Sequence, residues 1–335
     1  MEREGSTRAL AESALLAAIT VLLMFLGAFL PLAGFLVVLV WPVPVMLVIL
    51  RHGLRYGIMT VAVTVVLSTI FLGVIQALLA GITIVGLIGV AFGLGLHRGW
   101  SASTLVGVGT AVIALSFLIT LAVAGPLMGV DLVAQIRESA TLSAEMMADT
   151  YSSLGVDEGR DIAAEMEMAV DVMETVFPAM LMMSAFLYSI WTFGVTRLIL
   201  PRMGYPVPHL PSFARWRAPI WLAIALMVSY GVIMLYGGED SIYPVVLAEN
   251  VLFAVNGAYL VFGAALLFFL LKRVIQSSLV AGIVTGLITI NPLGVSILPL
   301  AAILDSGLDI RRFFDRKSAQ RNDPGLEEEN EEDAK

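Results

Sequence analysis

The residues of this chain best placed to do chemistry lie inside long apolar runs. Trp41-Pro42-Val43-Pro44 falls within residues 13–50, which contain no Asp, Glu, Lys, Arg or His. Neither proline can donate a backbone hydrogen bond, and each ring clashes with the turn before it. Interrupted backbone at membrane depth survives only against protein or beside a polar cavity. Two readings stand for this tetrad: a kinked packing helix, or a cavity wall in which Trp41 offers a stacking surface. Asn256 and Tyr259 lie in a second charge-free run, 250–271, three residues apart and so on one helical face. A polar side chain at that depth marks either an interhelical hydrogen bond or a ligand site. Asn291, in the break Asn291-Pro292, can both donate and accept through its amide. Neutral hydrogen bonding and aromatic stacking are what these residues offer. That chemistry suits binding of a small, partly apolar molecule, with Trp41, Pro42, Pro44, Asn256, Tyr259 and Asn291 as its wall. Arg51 and Arg55 anchor the cytoplasmic end in this reading.

Catalytic signatures are missing from the sequence. It contains no His-Glu-x-x-His, no Gly-x-Ser-x-Gly and no phosphate-binding loop. Its three histidines, His52, His97 and His209, fall in three separate linkers, and there is no cysteine. The expectation is a protein that is not an enzyme and holds neither metal nor cofactor. The 16 methionines, several of them near residues 146–183, read as packing residues.

Composition fixes what must position these residues. The chain has 335 residues, 59% apolar and only 14% charged, against about 45–50% and about 25% in soluble domains. Such a chain cannot clothe its surface in water. A spanning helix needs about 20 apolar residues, and the charge-free windows predict spans at 9–30, 33–50, 57–75, 77–96, 102–129, 175–196, 218–237 and 243–271. The stretch 274–304 is divided by Asn291-Pro292 into halves that are each short for a crossing. The predicted fold is therefore all-α, a polytopic transmembrane helical bundle of about eight full spans plus a broken C-terminal helix pair.

The net charge of −8 hides a strong asymmetry. The short linkers hold Arg51, Arg55, Arg98, Arg197, Arg202, Arg215, Arg217, Lys272 and Arg273 and no acid, while residues 131–174 hold eleven acids and two arginines. Short basic loops mark the cytoplasmic side. This predicts a cytoplasmic N-terminus (1–8), a membrane domain (9–304) with an extracytoplasmic helical insert (131–174), and a cytoplasmic acidic tail (305–335), largely disordered. A broken C-terminal pair is needed to bring Arg311 and Arg312 back to the basic side. In the insert, Asp157 is a candidate helix cap, and Ile162, Met166, Ala169, Met173 and Val176 share one helical face. The insert is either a hairpin capping the bundle, or a lid that docks an envelope partner or gates a ligand. The acidic balance gives no nucleic-acid surface.

Several short motifs carry a resemblance. Ala14-Leu-Leu-Ala-Ala18 opens the first span, followed by Pro31, Trp41-Pro-Val-Pro44, and Arg51-His-Gly-Leu-Arg-Tyr-Gly57. The membrane domain closes on Leu304-Asp305-Ser-Gly-Leu-Asp309-Ile-Arg311-Arg312-Phe313. Together these resemble the YybS-like family of bacterial membrane proteins, whose biochemical function is unassigned. The resemblance runs over roughly residues 9–315 and implies the bacterial cytoplasmic (inner) membrane, with lipid as the surroundings. The first half is also similar to the substrate-binding (S) components of energy-coupling-factor vitamin transporters, through Ala14-xxx-Ala18 and Gly53-Leu-Arg-Tyr-Gly57. That likeness implies a coupling membrane subunit docked on Ala14 and Ala18, and a small-molecule ligand. The rival expectation is a non-transporting scaffold that docks an envelope partner through 131–174.

Overall fold

The computed structural model describes residues 2–30, 34–129, 132–153, 159–237 and 242–314, and every regular element among them is a helix. Pro31, the Asp157 cap and the acidic tail beyond Phe314 lie outside the described residues, as do the side chains of Ile162 and Met166. The chain divides into two compact units, Met1–Leu210 and Pro211–Lys335.

The first unit contains α1 (Glu2–Phe29), α2 (Gly34–Val38), α3 (Val43–His52), α4 (Leu54–Leu72), α5 (Val74–Leu79), a π-helical stretch (Ala80–Ile88), α6 (Gly89–His97), α7 (Ala102–Met128), α8 (Leu132–Ser153) and α9 (Gly159–Ile199). Its centre is α3, where every residue from Val43 to Ile49 is buried. Val45, Met46 and Ile49 of α3 come against Gly89 and Gly93 of α6, where small residues let the helices close up. On α9, Ser189 donates across to the Val106 carbonyl of α7 at 2.8 Å. Ser116 of α7 donates to the Thr83 carbonyl in the π-helical stretch at 3.0 Å. A hydroxyl from a neighbouring helix thus satisfies a carbonyl of the widened turns, as hydrocarbon requires.

The second unit contains α10 (Ile220–Tyr236), α11 (Ile242–Val274), α12 (Ser278–Ile290) and α13 (Pro292–Leu308). α11 packs against both α10 and α13. At the α11–α13 crossing, a Cβ on Gly263 would collide with the Leu298 backbone carbonyl. That closeness is open only to glycine.

Six helices among the described residues are long and apolar enough to cross a membrane: Thr7–Phe29, Leu54–Leu72, Val74–His97, Ala102–Leu127, Met168–Met203 and Tyr243–Val274. The pair Ser278–Ile290 and Pro292–Leu308, bent by 103°, makes seven if counted as one span. The expected count of eight full spans is corrected by two short elements. Residues 220–236 form a helix of 17 residues, and 33–50 is not one helix but α2 of 5 residues, a turn, and α3 of 10.

The shortened elements still return the chain. Arg51 Nη1 donates to Glu12 Oε2 at 3.3 Å, and His52 Nε2 lies 2.8 Å from the same oxygen. The end of α3 therefore lies beside the start of α1. Arg51 also sits over the Tyr205 ring, 5.8 Å from its centre, which brings the segment after α9 to the same end. Because α7 and α9 pack antiparallel, the α8–α9 hairpin is left at the opposite end of this unit. Arg137 ties that hairpin together, donating to Glu174 at 2.6 Å and to Asp171 at 3.1 Å. These two carboxylates, Glu174 foremost, hold the Arg137 pKa above its usual value.

The bent pair folds back likewise. Arg217 lies 2.8 Å from Asp309, and Arg273 Nη1 donates to the Phe314 carbonyl at 2.8 Å. The end of α13 therefore meets the basic residues that flank α10 and α11, as a re-entrant pair requires. A single straight crossing would have separated them.

Candidate functional site

The Trp41–Pro44 interruption is closed by its own backbone. Val40, Trp41 and Val43 each donate to the carbonyl three residues earlier, at 2.9, 3.2 and 3.0 Å. Pro42 caps α3 and Pro44 stands in its first turn, where a missing N–H is no loss. The prolines thus begin a helix and do not break one. The Pro42 carbonyl accepts from Met46 N–H at 3.1 Å, so the carbonyls of Val37, Val38, Val40 and Pro42 are all taken. Trp41 is only 6% exposed; its indole N–H donates to the Leu23 carbonyl at 2.9 Å, and its ring covers Gly27 of α1. The expected stacking wall of Trp41, Pro42 and Pro44 is therefore corrected to a packing joint between α1 and α3.

Of the two basic anchors, Arg51 is held by Glu12 and Tyr205, while Arg55 is exposed on α4. Gly53 explains why α4 can start one residue after α3 ends: its φ is 87°, in the left-handed region where other residues are strained. On α1, Ser13, Ala17 and Thr20 turn inward, while Ala14 and Ala18 are exposed on the other face.

An open cleft lies in the second unit. It has a volume of about 610 Å³ and is lined by Leu226 and Tyr230 of α10, Phe253, Asn256, Gly257 and Leu260 of α11, and Val295, Ser296, Pro299, Leu300 and Ile303 of α13. That size falls within the range of small-molecule sites, roughly 300–1,000 Å³. Asn256 Nδ2 donates to the Leu252 carbonyl one turn earlier at 3.0 Å; its Oδ1 accepts from no donor among the described residues. Pro299 lies inside α13. It has no N–H, so the Val295 carbonyl lacks its usual helical partner. Ser296 Oγ donates to the Pro292 carbonyl at 3.1 Å. None of the eleven lining side chains carries a formal charge.

Tyr259 does not share this cleft. It is fully buried with Leu222, Val255 and Ala302, and its hydroxyl has no hydrogen-bond partner among the described residues. A three-residue step rotates the side chain by about 60° at 3.6 residues per turn, enough here to move Tyr259 from the cleft into the core. Asn291 is exposed at the α12–α13 corner, where its Oδ1 accepts from Leu293 N–H at 3.0 Å and caps α13. Its role is to begin the returning helix. Asn256 alone of the six expected wall residues borders the cleft.

A second constellation escaped residue-by-residue reading. Asp305 and Arg311 form an ion pair at 3.0 Å, with side chains only 5% and 3% exposed. Arg311 N–H also donates to Asp305 Oδ1 at 3.4 Å, and its Nη1 donates to the Ala214 carbonyl. Burial lowers the Arg311 pKa from its ordinary value, and Asp305 opposes that shift; the guanidinium remains charged at any physiological pH. Asp309, at φ 48°, ends α13 in a left-handed turn and lets Arg311 fold back onto the helix. The available signal was Asp305-x-x-x-Asp309-x-Arg311, three charges immediately after an apolar stretch. Spacing could not reveal a left-handed reversal that brings Arg311 back to Asp305.

The comparisons speak to the family of the chain. No solved structure matches the chain. The protein described as "Uncharacterized protein YybS" of Bacillus subtilis (strain 168) is 23% identical over 318 residues, spanning 91% of this chain and 98% of that protein. The model of a family described as "Predicted membrane protein (DUF2232)" matches residues 18–306, nearly all of both helical units, and the chain belongs to that family.

Proposed function

We propose that this membrane protein binds a small, mostly apolar molecule in the cleft between α10, α11 and α13. The observation that carries the reading is Asn256, whose carbonyl oxygen has no donor among the described residues and borders a mostly apolar cleft. A polar acceptor facing hydrocarbon is costly unless something donates to it. The absence of catalytic motifs from the sequence favours binding or translocation over catalysis. The basic linkers favour a bacterial inner-membrane location with both termini cytoplasmic and the α8–α9 hairpin outside. Ala14 and Ala18, exposed on α1, are the face on which a coupling membrane subunit would dock.

The binding test is native mass spectrometry of the full chain purified in mild detergent. A bound non-lipid species or one selectively retained lipid is expected in the wild type. It should be depleted in Asn256→Leu and retained in Trp41→Phe. A wild type carrying nothing beyond bulk lipid defeats the proposal. Orientation is tested with reporter fusions at Ser153 and Arg321, which should report opposite sides. The same side for both overturns the topology.

One observation favours a second reading. Leu142, Met146, Met147, Met168 and Val172 leave apolar surface exposed on the α8–α9 hairpin, as a scaffold docking an envelope partner needs. Deleting residues 135–170 separates the two readings. It should abolish partner capture by a scaffold and leave ligand retention in the cleft intact.

A further inference from the structure

The donor and acceptor inventory of the cleft narrows the class of ligand; this step rests on the binding proposal above. Ser296 has committed its only hydroxyl hydrogen to the Pro292 carbonyl, so toward an occupant it can only accept. Asn256 Oδ1 is an unused acceptor, and one of the two Nδ2 hydrogens is already spent on Leu252. The Val295 carbonyl has lost its helical donor to Pro299, and both residues line the cleft. Tyr230, 52% exposed, can play either part through its hydroxyl. The wall is thus richer in acceptors than in donors. It carries neither a cation to neutralise an anionic ligand nor an anion to hold a cationic one. Burying an unpaired charge here is far costlier than burying a hydrogen-bonded hydroxyl.

We propose that the cleft takes an uncharged apolar molecule whose polar end is a hydrogen-bond donor, of the long-chain alcohol class. Its hydroxyl hydrogen goes to Asn256 Oδ1 or to the Val295 carbonyl, and its chain lies along Phe253, Leu260 and Leu300. A volume of about 610 Å³ accommodates on the order of twenty water-sized groups at ~30 Å³ each.

The test uses the full chain in phospholipid nanodiscs and three photoreactive diazirine probes on one hexadecyl chain: the alcohol, its methyl ether and the corresponding carboxylate. Cross-linking is mapped to 253–260 and 295–303, with the lipid-facing side of α12, where Leu279, Ile283 and Leu287 are exposed, as the background. The alcohol should label the cleft about fivefold more than the ether, the factor expected for one net hydrogen bond, and should exceed the carboxylate by more. Asn256→Leu should bring the alcohol down to the level of the ether. If that variant does not fold, Leu300→Trp fills the cleft while sparing its polar groups, and should reduce labelling by the alcohol to background. Equal labelling by alcohol and ether, or preference for the carboxylate, overturns the assignment of a neutral donor while leaving the cleft a binding site. No labelling above the α12 background by any probe defeats both this assignment and the binding proposal.

Discussion

The Trp41–Pro44 interruption in the first unit and the Asn291–Pro299 region in the second begin with the same sequence device and finish differently. In the first, Pro42 and Pro44 fall at the start of α3, where the missing N–H groups cost nothing, and short turns satisfy the carbonyls of Val37, Val38 and Val40. Trp41 then seals the joint against Leu23 and Gly27. In the second, Pro292 likewise begins a helix, with Asn291 as its cap. Pro299 lies two turns further on, where it removes a donor that α13 would have used. An open cleft lies there, with Asn256 across it. Proline in a membrane helix is therefore informative by position: in the first turn it shapes the path of the chain, and in the interior it frees a carbonyl.

The largest effect is expected at the end of α13, where Asp305 and Arg311 are buried together. Asp305→Ala leaves Arg311 buried without its carboxylate and should destabilise the unit by about 3–5 kcal/mol. Thermal unfolding in detergent, followed by loss of the folded-protein peak on size exclusion, reads this directly. Replacing both residues with Leu should recover much of the loss, because no buried charge is then stranded. A double variant as unstable as the single one would show that the ion pair itself, and not the stranded charge, matters.

A smaller effect is expected at the α11–α13 crossing. Gly263→Leu forces the helices apart at Leu298 and should cost about 1–3 kcal/mol, with loss of ligand retention. Gly282→Leu, on an exposed face of α12 where a Cβ makes only ordinary contact with Phe268, should change stability by less than about 0.5 kcal/mol. Equal effects in the same melting assay would mean that the close approach at Gly263 is not limiting.

In the closed joint of the first unit, Trp41→Phe removes the donor to the Leu23 carbonyl and should cost about 1–2 kcal/mol. Retention of ligand in the cleft should be unaffected. Asn256→Leu should cost less than Trp41→Phe: its one hydrogen bond runs to Leu252 within α11, and even polar contacts between membrane helices average only about 0.6 kcal/mol. Here the melting temperature should barely move while ligand retention falls. A large drop in melting temperature would make Asn256 a packing residue and remove the contrast between the two regions.

Much of this was legible from residue order. Charge-free windows located the apolar helices because hydrocarbon tolerates few alternatives to a helix. The need to return Arg311 and Arg312 to the basic side predicted the folded-back C-terminal pair, and Arg217–Asp309 and Arg273–Phe314 show the ends together. Reading 33–50 as one span failed because hydropathy does not distinguish a crossing helix from α2, a turn and a buried α3. Five of the six expected wall residues lie away from the cleft for a related reason. Trp41, Pro42, Pro44, Tyr259 and Asn291 have the composition of a site, but each meets a need of the fold itself: closing a joint, starting a helix or filling a core.

What the sequence alone determined is membership of a solvent: a chain with this apolar content and these basic linkers must be a helical membrane protein, because burial of apolar surface and satisfaction of the backbone leave it no other state. Which polar atoms remain unspent was decided only by tertiary structure. Asn256 Oδ1 meets no donor among the described residues because of where α10 and α13 stand around α11. Arg311 is buried because a left-handed Asp309 turns it back onto Asp305. Hydrogen-bond satisfaction depends on distances between helices far apart in the chain, and periodicity along one helix does not contain them.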